Sequence, residues 1–420
     1  MKVAVIGAGV VGTSTAYELA ADGHQVTVFE RHSAAAEEAS FANAGLLAPG
    51  TITPWMAPGM LGTIAKSLFS RNAPVQLGWG LSGSELAWLW KWRRASQPAA
   101  FLAQHTRLQR LAAYSSERLQ TLTHSLHMDY DRSEGSLLLL RTDSAVAQAQ
   151  PGLQLLREAG VAWQQIDAHA ARQHEPALHT DTPLAAAIHL PGDAVGNCRQ
   201  FTMQLKAAAQ QLGVQFEFNS TVMHIEPAPA ATVFIANETS PRRFDAVVVC
   251  AGLASAALLK PLGVQIPLAA VVGYSLSAPI REPLNAPVSA VVDEQYQISI
   301  ARMGQRVRVA GGIEIGSRAQ TQDSHHPAAI ARLYKVLYDW FPGAAQLASH
   351  VQIWKGARPM LPDGLPLVGP SGVPGVWLNL GHGAYGWALA SGSARATADL
   401  VAGRAPEVDM EGLGLERLRH

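Results

Sequence analysis

The chain has 420 residues, which at roughly 150 residues per domain implies two or three domains and excludes a peptide-scale or disulfide-stapled fold. Apolar residues make up 48% and charged residues 15%, against about 25% charged in an average globular domain, so a disordered chain is excluded as well. Lys plus Arg and Asp plus Glu balance at 32 each, which leaves no excess cation to coat nucleic acid and makes any basic surface a local one.

The chain passes directly from Met1-Lys2 into the apolar run Val3 to Ile6, with no basic leader, long apolar stretch and cleavage site in series, so no signal peptide is expected. That run reads as a short buried parallel strand. Gly7-Ala8-Gly9-Val10-Val11-Gly12 then leads into a helix ending at Asp22-Gly23, and Gln25 to Phe29 reads as a second strand. Strand, glycine turn, helix and strand make a complete βαβ unit. Gly7 would form the tight turn, Gly9 would let the backbone approach a pyrophosphate, and Gly12 would let the helix pack on the strand. Glu30, at the end of the second strand, is placed to accept hydrogen bonds from a ribose. This frame predicts a dinucleotide site at a helix N-terminus.

From Trp55 to about Arg118 the pattern turns to Trp, Leu and basic residues, with Leu108, Leu111, Tyr114, Leu119 and Leu122 in helical spacing, which suggests a helical insertion. Gly135 to Arg141 reads as a strand, Gln154 to Ala159 as a helix end, and Val161 to Ile166 as another strand. A second helix and strand set follows, with Arg199 to Leu212 helical and Val214 to Phe218 and Thr221 to Ile225 extended. Phe244 to Cys250 is a buried strand that ends in the small-residue turn Ala251-Gly252. Gly273 to Leu276, Gln297 to Ile300 and Arg306 to Ala310 are short alternating strands, which points to an antiparallel sheet. Last come the strand Val376 to Leu380, a glycine loop from Gly381 to Gly386 and a small-residue helix from Ala388 to Val401, which implies a nucleotide domain completed by distant sequence. Cys198 and Cys250 have no CxxC partner and read as packed thiols in a reduced compartment, and no histidine spacing predicts a metal.

Several segments together resemble one family. VAVIGAGVVG, SFANAGLLAPG (Ser40 to Gly50) with PWMAPG, DEQYQISIAR (Asp293 to Arg302), GARPMLPDGLPLVG (Gly356 to Gly369) and NLGHGAYGW (Asn379 to Trp387) look like the FAD-dependent D-amino acid dehydrogenases. These belong to a flavin amine-oxidase superfamily with glycine, sarcosine and D-amino acid oxidases. The resemblance spans nearly the whole chain. It implies an α/β architecture: a Rossmann-like FAD-binding domain from residues 1–60, 190–262 and 350–420, and an α+β substrate domain on an antiparallel sheet from residues 61–189 and 263–349, carrying the Trp-rich helical insertion.

It further implies that Gly7, Gly9, Gly12, Glu30 and Arg31 hold the ADP half of FAD, that Ser40, Asn43, Ala44 and Gly45 run beside the pyrophosphate and flavin, and that Val222 meets the adenine side through its backbone. Ala251 and Gly252 would line the ribityl path. Gly381, His382, Gly383 and Gly386 would precede a helix whose dipole faces the flavin. His382 has two readings, catalytic base or a loop histidine satisfied by its backbone, the second being favoured because hydride transfer needs no obligatory side-chain base. Arg358 would grip the substrate carboxylate with its guanidinium fork, and Tyr274 or Tyr296 would bond the same carboxylate or lid the pocket. Thr51, Leu380 and Tyr385 depart from the D-alanine-type pattern and bear on side-chain preference.

The implied reaction is oxidation of a D-amino acid to a 2-oxo acid and ammonia, with electrons passed to a quinone or other carrier. The alternatives are a secondary amine such as sarcosine, proline or hydroxyproline as substrate, or a non-catalytic flavoprotein subunit. Trp79, Trp88, Trp90 and Trp92, four of the ten tryptophans, stand beside Lys91, Arg93 and Arg94. Trp favours the headgroup interface and cations favour an anionic leaflet, so this segment suggests a cytoplasmic protein held peripherally on the inner face of a bacterial inner membrane. The competing reading, slightly favoured, makes these tryptophans interdomain core.

Overall fold

The structure is a computed structural model that describes residues 1–48, 75–77, 82–227, 231–316 and 325–418. Thr51 and Trp79 lie outside the described residues. Near the N-terminus the strand β1 (Lys2–Ile6), helix α1 (Val10–Ala21) and strand β2 (Gln25–Phe29) form as expected, each strand burying its last four residues. The Trp-rich segment holds α2 (Gly83–Ala95) and a long α3 (Pro98–Ser125), on which Leu108, Leu111, Leu119 and Leu122 are buried at helical spacing. Beyond them come β3 (Ser133–Leu140), α4 (Asp143–Glu158), β4 (Ala186–Val195), α5 (Cys198–Gln211) and β5 (Gln215–Glu217).

The second half contributes β6 (Ala246–Val249), β7 (Ala269–Pro279), β8 (Ala290–Asp293), β9 (Ile298–Met303) and β10 (Arg306–Ile315). It finishes with α6 (Pro327–Trp340), β11 (Gln352–Met360), β12 (Leu367–Pro370), β13 (Val376–Leu380) and α7 (Gly386–Val401).

Two sheets organise these elements. Six strands lie in the order β12-β13-β6-β1-β2-β5, with every neighbour parallel except β12 and β13. The chain order reverses between β1 and β6, and in a doubly wound sheet the crevice beyond the strand ends at that point is where a ligand binds. The helix α1 covers this sheet between α5 and α7, and its Glu18 is fully buried, held bidentately by Arg118 at 2.7 Å and by Arg395 at 2.9 Å.

The second sheet follows the path β11-β7-β10-β9-β8-β3-β4 and ends on the two-residue strand Leu46–Leu47. It is mainly antiparallel, but β8 runs parallel to β3, pairing Val291 with Leu137. The core on one of its faces is closed by α6, with Leu333, Val336, Leu337 and Trp340 packed against Leu276, Val307 and Val309.

Several expected boundaries shift. The run Phe244 to Cys250 divides, Arg242–Phe244 pairing in a separate three-stranded sheet and Ala246–Val249 entering the parallel one. The strands foreseen as Gly273 to Leu276 and Arg306 to Ala310 extend into the long β7 and β10, because cross-strand pairing carries them past their locally alternating cores. Residues 352–360, grouped by sequence with the nucleotide domain, form β11 on the edge of the second sheet instead, paired along β7.

The tryptophans of α2 also separate. Trp88 and Trp92 are 3% and 1% exposed, stack at 6.2 Å and pack on Val271, Ile315 and Met360, while the Trp88 indole donates to the Met360 carbonyl at 3.2 Å. Helical spacing puts positions 88 and 92 on one buried face and Trp90 on the other, where Arg94 lies 5.1 Å over its ring. Trp88 and Trp92 are therefore core and face no bilayer. Among the described residues no helix is long and apolar enough to cross a membrane.

Candidate active site

A cavity of about 1800 Å³ opens between the two sheets, well above the roughly 300–1,000 Å³ usual for a single small-molecule site. Its floor is the glycine turn after β1. Gly7 has φ +103°, and a Cβ there would stand 2.6 Å from the Cys250 carbonyl oxygen, so β1 and β6 approach each other only with glycine at this place. A Cβ at Gly12 would stand 1.9 Å from the Gly7 carbonyl oxygen, which explains why this glycine lies behind the cavity wall and does not line it.

Glu30 is nearly buried and its two carboxylate oxygens accept from the Ala8 amide at 2.7 Å and the His32 amide at 2.9 Å. The carboxylate is thus fixed at the end of β2 with lone pairs left toward the cavity. Arg31 lines the same end, but its exposed guanidinium is engaged by Glu38 and by His32. Ser40 Oγ accepts from the Val10 amide at 3.1 Å, capping the first turn of α1.

Asn43 Oδ1 accepts from the Gly45 amide at 3.0 Å, a local turn that φ +75° at Gly45 completes. The second sheet grips this loop, since Ser275 Oγ donates to the Ala42 carbonyl at 2.7 Å and Arg308 donates to the Asn43 carbonyl at 3.3 Å. Burial lowers the Arg308 pKa to about 10. Ala44, Val222, Ala251 and Gly252 line the cavity as well, together with Gly381, His382, Gly383 and Gly386. Gly381 and Gly383 have φ +78° and +55°, and the chain then enters α7 at Gly386. Both cysteines are buried thiols whose pKa burial pushes up to about 12.

On the opposite wall, Arg358 projects from β11 over the backbone of β7. The strands oppose Gly273 to Gly356, and a Cβ at Gly273 would stand 2.4 Å from one guanidinium nitrogen and 2.7 Å from Cζ. Gly273 is the space that Arg358 occupies. Among the described residues the guanidinium makes one long hydrogen bond, 3.5 Å to the Gly312 carbonyl, and no described carboxylate lies within 4.0 Å of it. Enclosure pushes its pKa below the usual arginine value, opposed by the Tyr385 phenol nearby. A cation withdrawn from water with no counter-ion is costly, and an arriving carboxylate would relieve that cost.

Tyr274 is among the residues that line the cavity, but it alternates with Gly273 along β7, so its ring joins the core that α6 closes, on the face opposite Arg358, and donates to Glu314 Oε2 at 2.8 Å; burial and then that carboxylate raise its pKa, so the phenol keeps its proton. Tyr296 is not brought to the site. Its ring lies on the far side of the turn after β8, 5.1 Å from Arg141 and 5.1 Å from Lys335, packed against the α6 core. Leu380 is buried, and both it and Tyr385 line the cavity.

His382 is 3% exposed, and Nε2 lies 3.0 Å from Ser393 Oγ. Ser393 also donates to the Ala390 carbonyl at 3.2 Å, so the imidazole supplies the proton between them and is the Nε2–H tautomer. Its partner is this side chain, not its own backbone. Burial lowers its pKa to about 3. The unfolded chain therefore binds a proton that the folded one refuses between about pH 6.5 and pH 3, so stability falls as pH drops below 6.5, by about 1.4 kcal/mol per pH unit for this group. His382→Gln, which keeps an N–H near Ser393, should lose that slope: between pH 7 and pH 5 its urea midpoint should fall less than that of the natural protein, by an amount equivalent to about 2 kcal/mol. Equal slopes would show that His382 is accessible to protons.

Glu314, Ser393 and Arg308 carry no motif and were not foreseen. The alternation of β10 puts Glu314 on the face of Gly312, but its meeting with Tyr274 depends on an irregular register between Val272 and Tyr274.

Comparison with known proteins gives the family and agrees with the fold. The family model described as DAO, FAD dependent oxidoreductase, matches residues 2–400. A D-amino acid dehydrogenase of Cereibacter sphaeroides is 40% identical over 419 residues, covering 99% of this chain and 95% of that protein. One from Rhizobium johnstonii is 38% identical, covering 99% of this chain and all of its own. Among solved structures, glycine oxidase from Geobacillus kaustophilus superposes with a TM-score of 0.77 at 22% identity, covering 100% of this chain and 98% of its own.

Proposed function

The chain belongs to the DAO family of FAD-dependent oxidoreductases, and from that premise we propose that it oxidises D-amino acids to 2-oxo acids and ammonia, passing the electrons to a quinone or other carrier. The residues fit the cofactor: a glycine turn too tight for any Cβ, a fixed Glu30 carboxylate and the first turn of α1 converge on one end of the cavity. Bound there, FAD supplies the hydride acceptor for the substrate Cα–H. The observation that carries the reading is Arg358, a buried cation with space in front of it and no carboxylate beside it among the described residues. It would hold the substrate carboxylate bidentately and so fix which face of Cα is presented.

Tyr274 keeps its phenolic proton, tied to Glu314 on the face of β7 that α6 covers, and neutral His382 adds no charge to the cavity. The D-configuration is supported by the names of the relatives at 38% and 40% identity.

Mixing the holoprotein anaerobically with D-alanine, D-proline, L-alanine and sarcosine, and following flavin absorbance, tests the reading. Bleaching by D-alanine and not by L-alanine is expected. Preferential bleaching by sarcosine and D-proline over D-alanine would move the substrate to secondary amines, and no bleaching by any of the four would leave the flavin without this chemistry.

The cellular place we propose is cytoplasmic, against the inner face of a bacterial inner membrane. Its support is the outer side of α2, where Leu86 and Trp90 are 56% and 58% exposed beside exposed Lys91, Arg93 and Arg94. Each cation near an anionic leaflet adds about 1 kcal/mol. The protein should co-sediment with anionic liposomes at low salt, and a Trp90→Ala, Arg93→Glu variant, which leaves the Trp88–Trp92 core intact, should stay behind. Natural protein found wholly in the supernatant would remove the membrane from the picture.

A further inference from the structure

The cavity does not end near Arg358. A second lobe runs under β3 and β4 toward α3 and α4, lined by Leu138, Ile188 and Leu190 from the sheet and by Phe101, Leu153 and Leu156 from the helices. Tyr274 lies on β7 and Leu138 on β3, four strands apart in the sheet, or roughly 19 Å along it at about 4.8 Å per strand. No ordinary amino-acid side chain anchored at Arg358 spans that distance, so the lobe has room for a different molecule.

Among the described residues its inner walls are apolar except for His105, and Gln148 stands at its mouth. His105 is 4% exposed, stands 6.2 Å from the Phe101 ring and lines the lobe, and its imidazole has no hydrogen-bond partner among the described residues. Desolvation lowers its pKa, so at neutral pH it offers one N–H donor and one nitrogen acceptor to whatever enters. The lobe reaches solvent between exposed Pro98 and Leu102 on α3 and exposed Gln148, Pro151 and Gly152 on α4. Pro98 and Leu102 begin the helix that follows α2, whose outer side carries Leu86, Trp90 and three cations. An apolar ligand would therefore enter beside the most lipid-like surface described.

Resting on the reading above, we propose that this lobe is the binding site of a lipid-soluble, planar two-electron acceptor of the quinone class, with His105 donating a hydrogen bond to a quinone carbonyl. Apolar walls suit the ring and tail, and a lone polar group fixes orientation. The overall exchange balances: one amino-acid zwitterion, one quinone and one water give one 2-oxo acid anion, one ammonium ion and one quinol. Two electrons and two protons leave the Cα–H and N–H bonds and end in the two O–H bonds of the quinol.

The test separates the two halves of the cycle in the holoenzyme. At Gly152, on the mouth of the lobe, an added Cβ meets nothing within 4 Å, so the backbone accepts a side chain there and Gly152→Trp places bulk at the entrance. Gly152→Trp and His105→Leu should each bleach normally with D-alanine, yet be reoxidised by decylubiquinone about tenfold more slowly, the change expected for one hydrogen bond or its equivalent in access. Reoxidation by the small soluble acceptor phenazine methosulfate should be unchanged. In the natural holoenzyme a photoreactive azidoquinone should label peptides from α3 and α4. Three results would overturn the proposal: unaltered reoxidation by decylubiquinone in both variants, labelling confined to other segments, or a Gly152→Trp variant slowed in D-alanine bleaching, which would make the lobe a substrate entrance. Failure of the natural protein to bleach with any D-amino acid would instead overturn the reading on which this one rests.

Discussion

Arg358→Ala is expected to retain FAD and to raise KM for a D-amino acid steeply, lowering kcat/KM by roughly 30-fold to several-thousand-fold. The range follows from the about 2–5 kcal/mol lost when one partner of a buried, hydrogen-bonded charge pair is removed. The geometry explains why lysine should not rescue it fully: a point charge cannot reproduce the two parallel bonds of the guanidinium fork. Arg358 also sits in a space that glycine at position 273 leaves open, where no described carboxylate answers it. Removing an uncompensated buried cation should therefore raise the melting temperature of the substrate-free protein while activity falls. Steady-state kinetics with D-alanine and a thermal melt of the same preparation check both; unchanged kinetics would take Arg358 out of the site.

Glu30→Ala acts at the other end of the cavity and on a different observable. It strips the buried Ala8 and His32 amides of their acceptor and removes the carboxylate that would meet the ribose hydroxyls of the cofactor. Hydrogen bonds to a charged partner are worth about 1.5–3 kcal/mol each, so loss of even one to the cofactor weakens FAD retention by an order of magnitude or more. The ratio of flavin to protein absorbance after dialysis should drop well below that of the natural protein. Glu30→Gln, which keeps one acceptor oxygen, should fall between the two. Full occupancy in Glu30→Ala would contradict the assignment.

The nucleotide-binding half was legible because its signals are local. A buried strand, a glycine turn and a capped helix each depend on residues within a few positions, and Gly7, Gly9 and Glu30 line one cavity end as their spacing suggests. The opposite wall was less legible. Arg358 belongs to the second sheet only because residues 352–360 pair with β7, some 80 positions earlier in the chain, and no local pattern encodes that register. Tyr274 and Tyr296 both reach the core that α6 closes, Tyr274 bonded to Glu314 and Tyr296 beside Arg141 and Lys335; Tyr274 alternates with Gly273 along β7 and so points away from the face of Arg358, a consequence of pairing that its local run does not reveal. In α2 the favoured reading of the tryptophans as core holds for Trp88 and Trp92, and the helical period separates from them Trp90, which composition alone does not sort.

The route of the chain through the parallel sheet also governs how the protein can be made. β1, near the N-terminus, finds its inner partner only when β6 at Ala246–Val249 has been synthesised, and α1 gains its cover from α7, at Gly386–Val401. At about 5–20 residues per second, translation leaves β1 unpaired on that side and Glu18 without Arg395 for some tens of seconds. Through that interval an apolar strand edge and a carboxylate destined for burial stay in water, where other nascent chains can reach them. This topology leaves the newborn N-terminus without its partners until the last helix emerges, and it makes losses in that helix damaging to the first one, almost four hundred residues away.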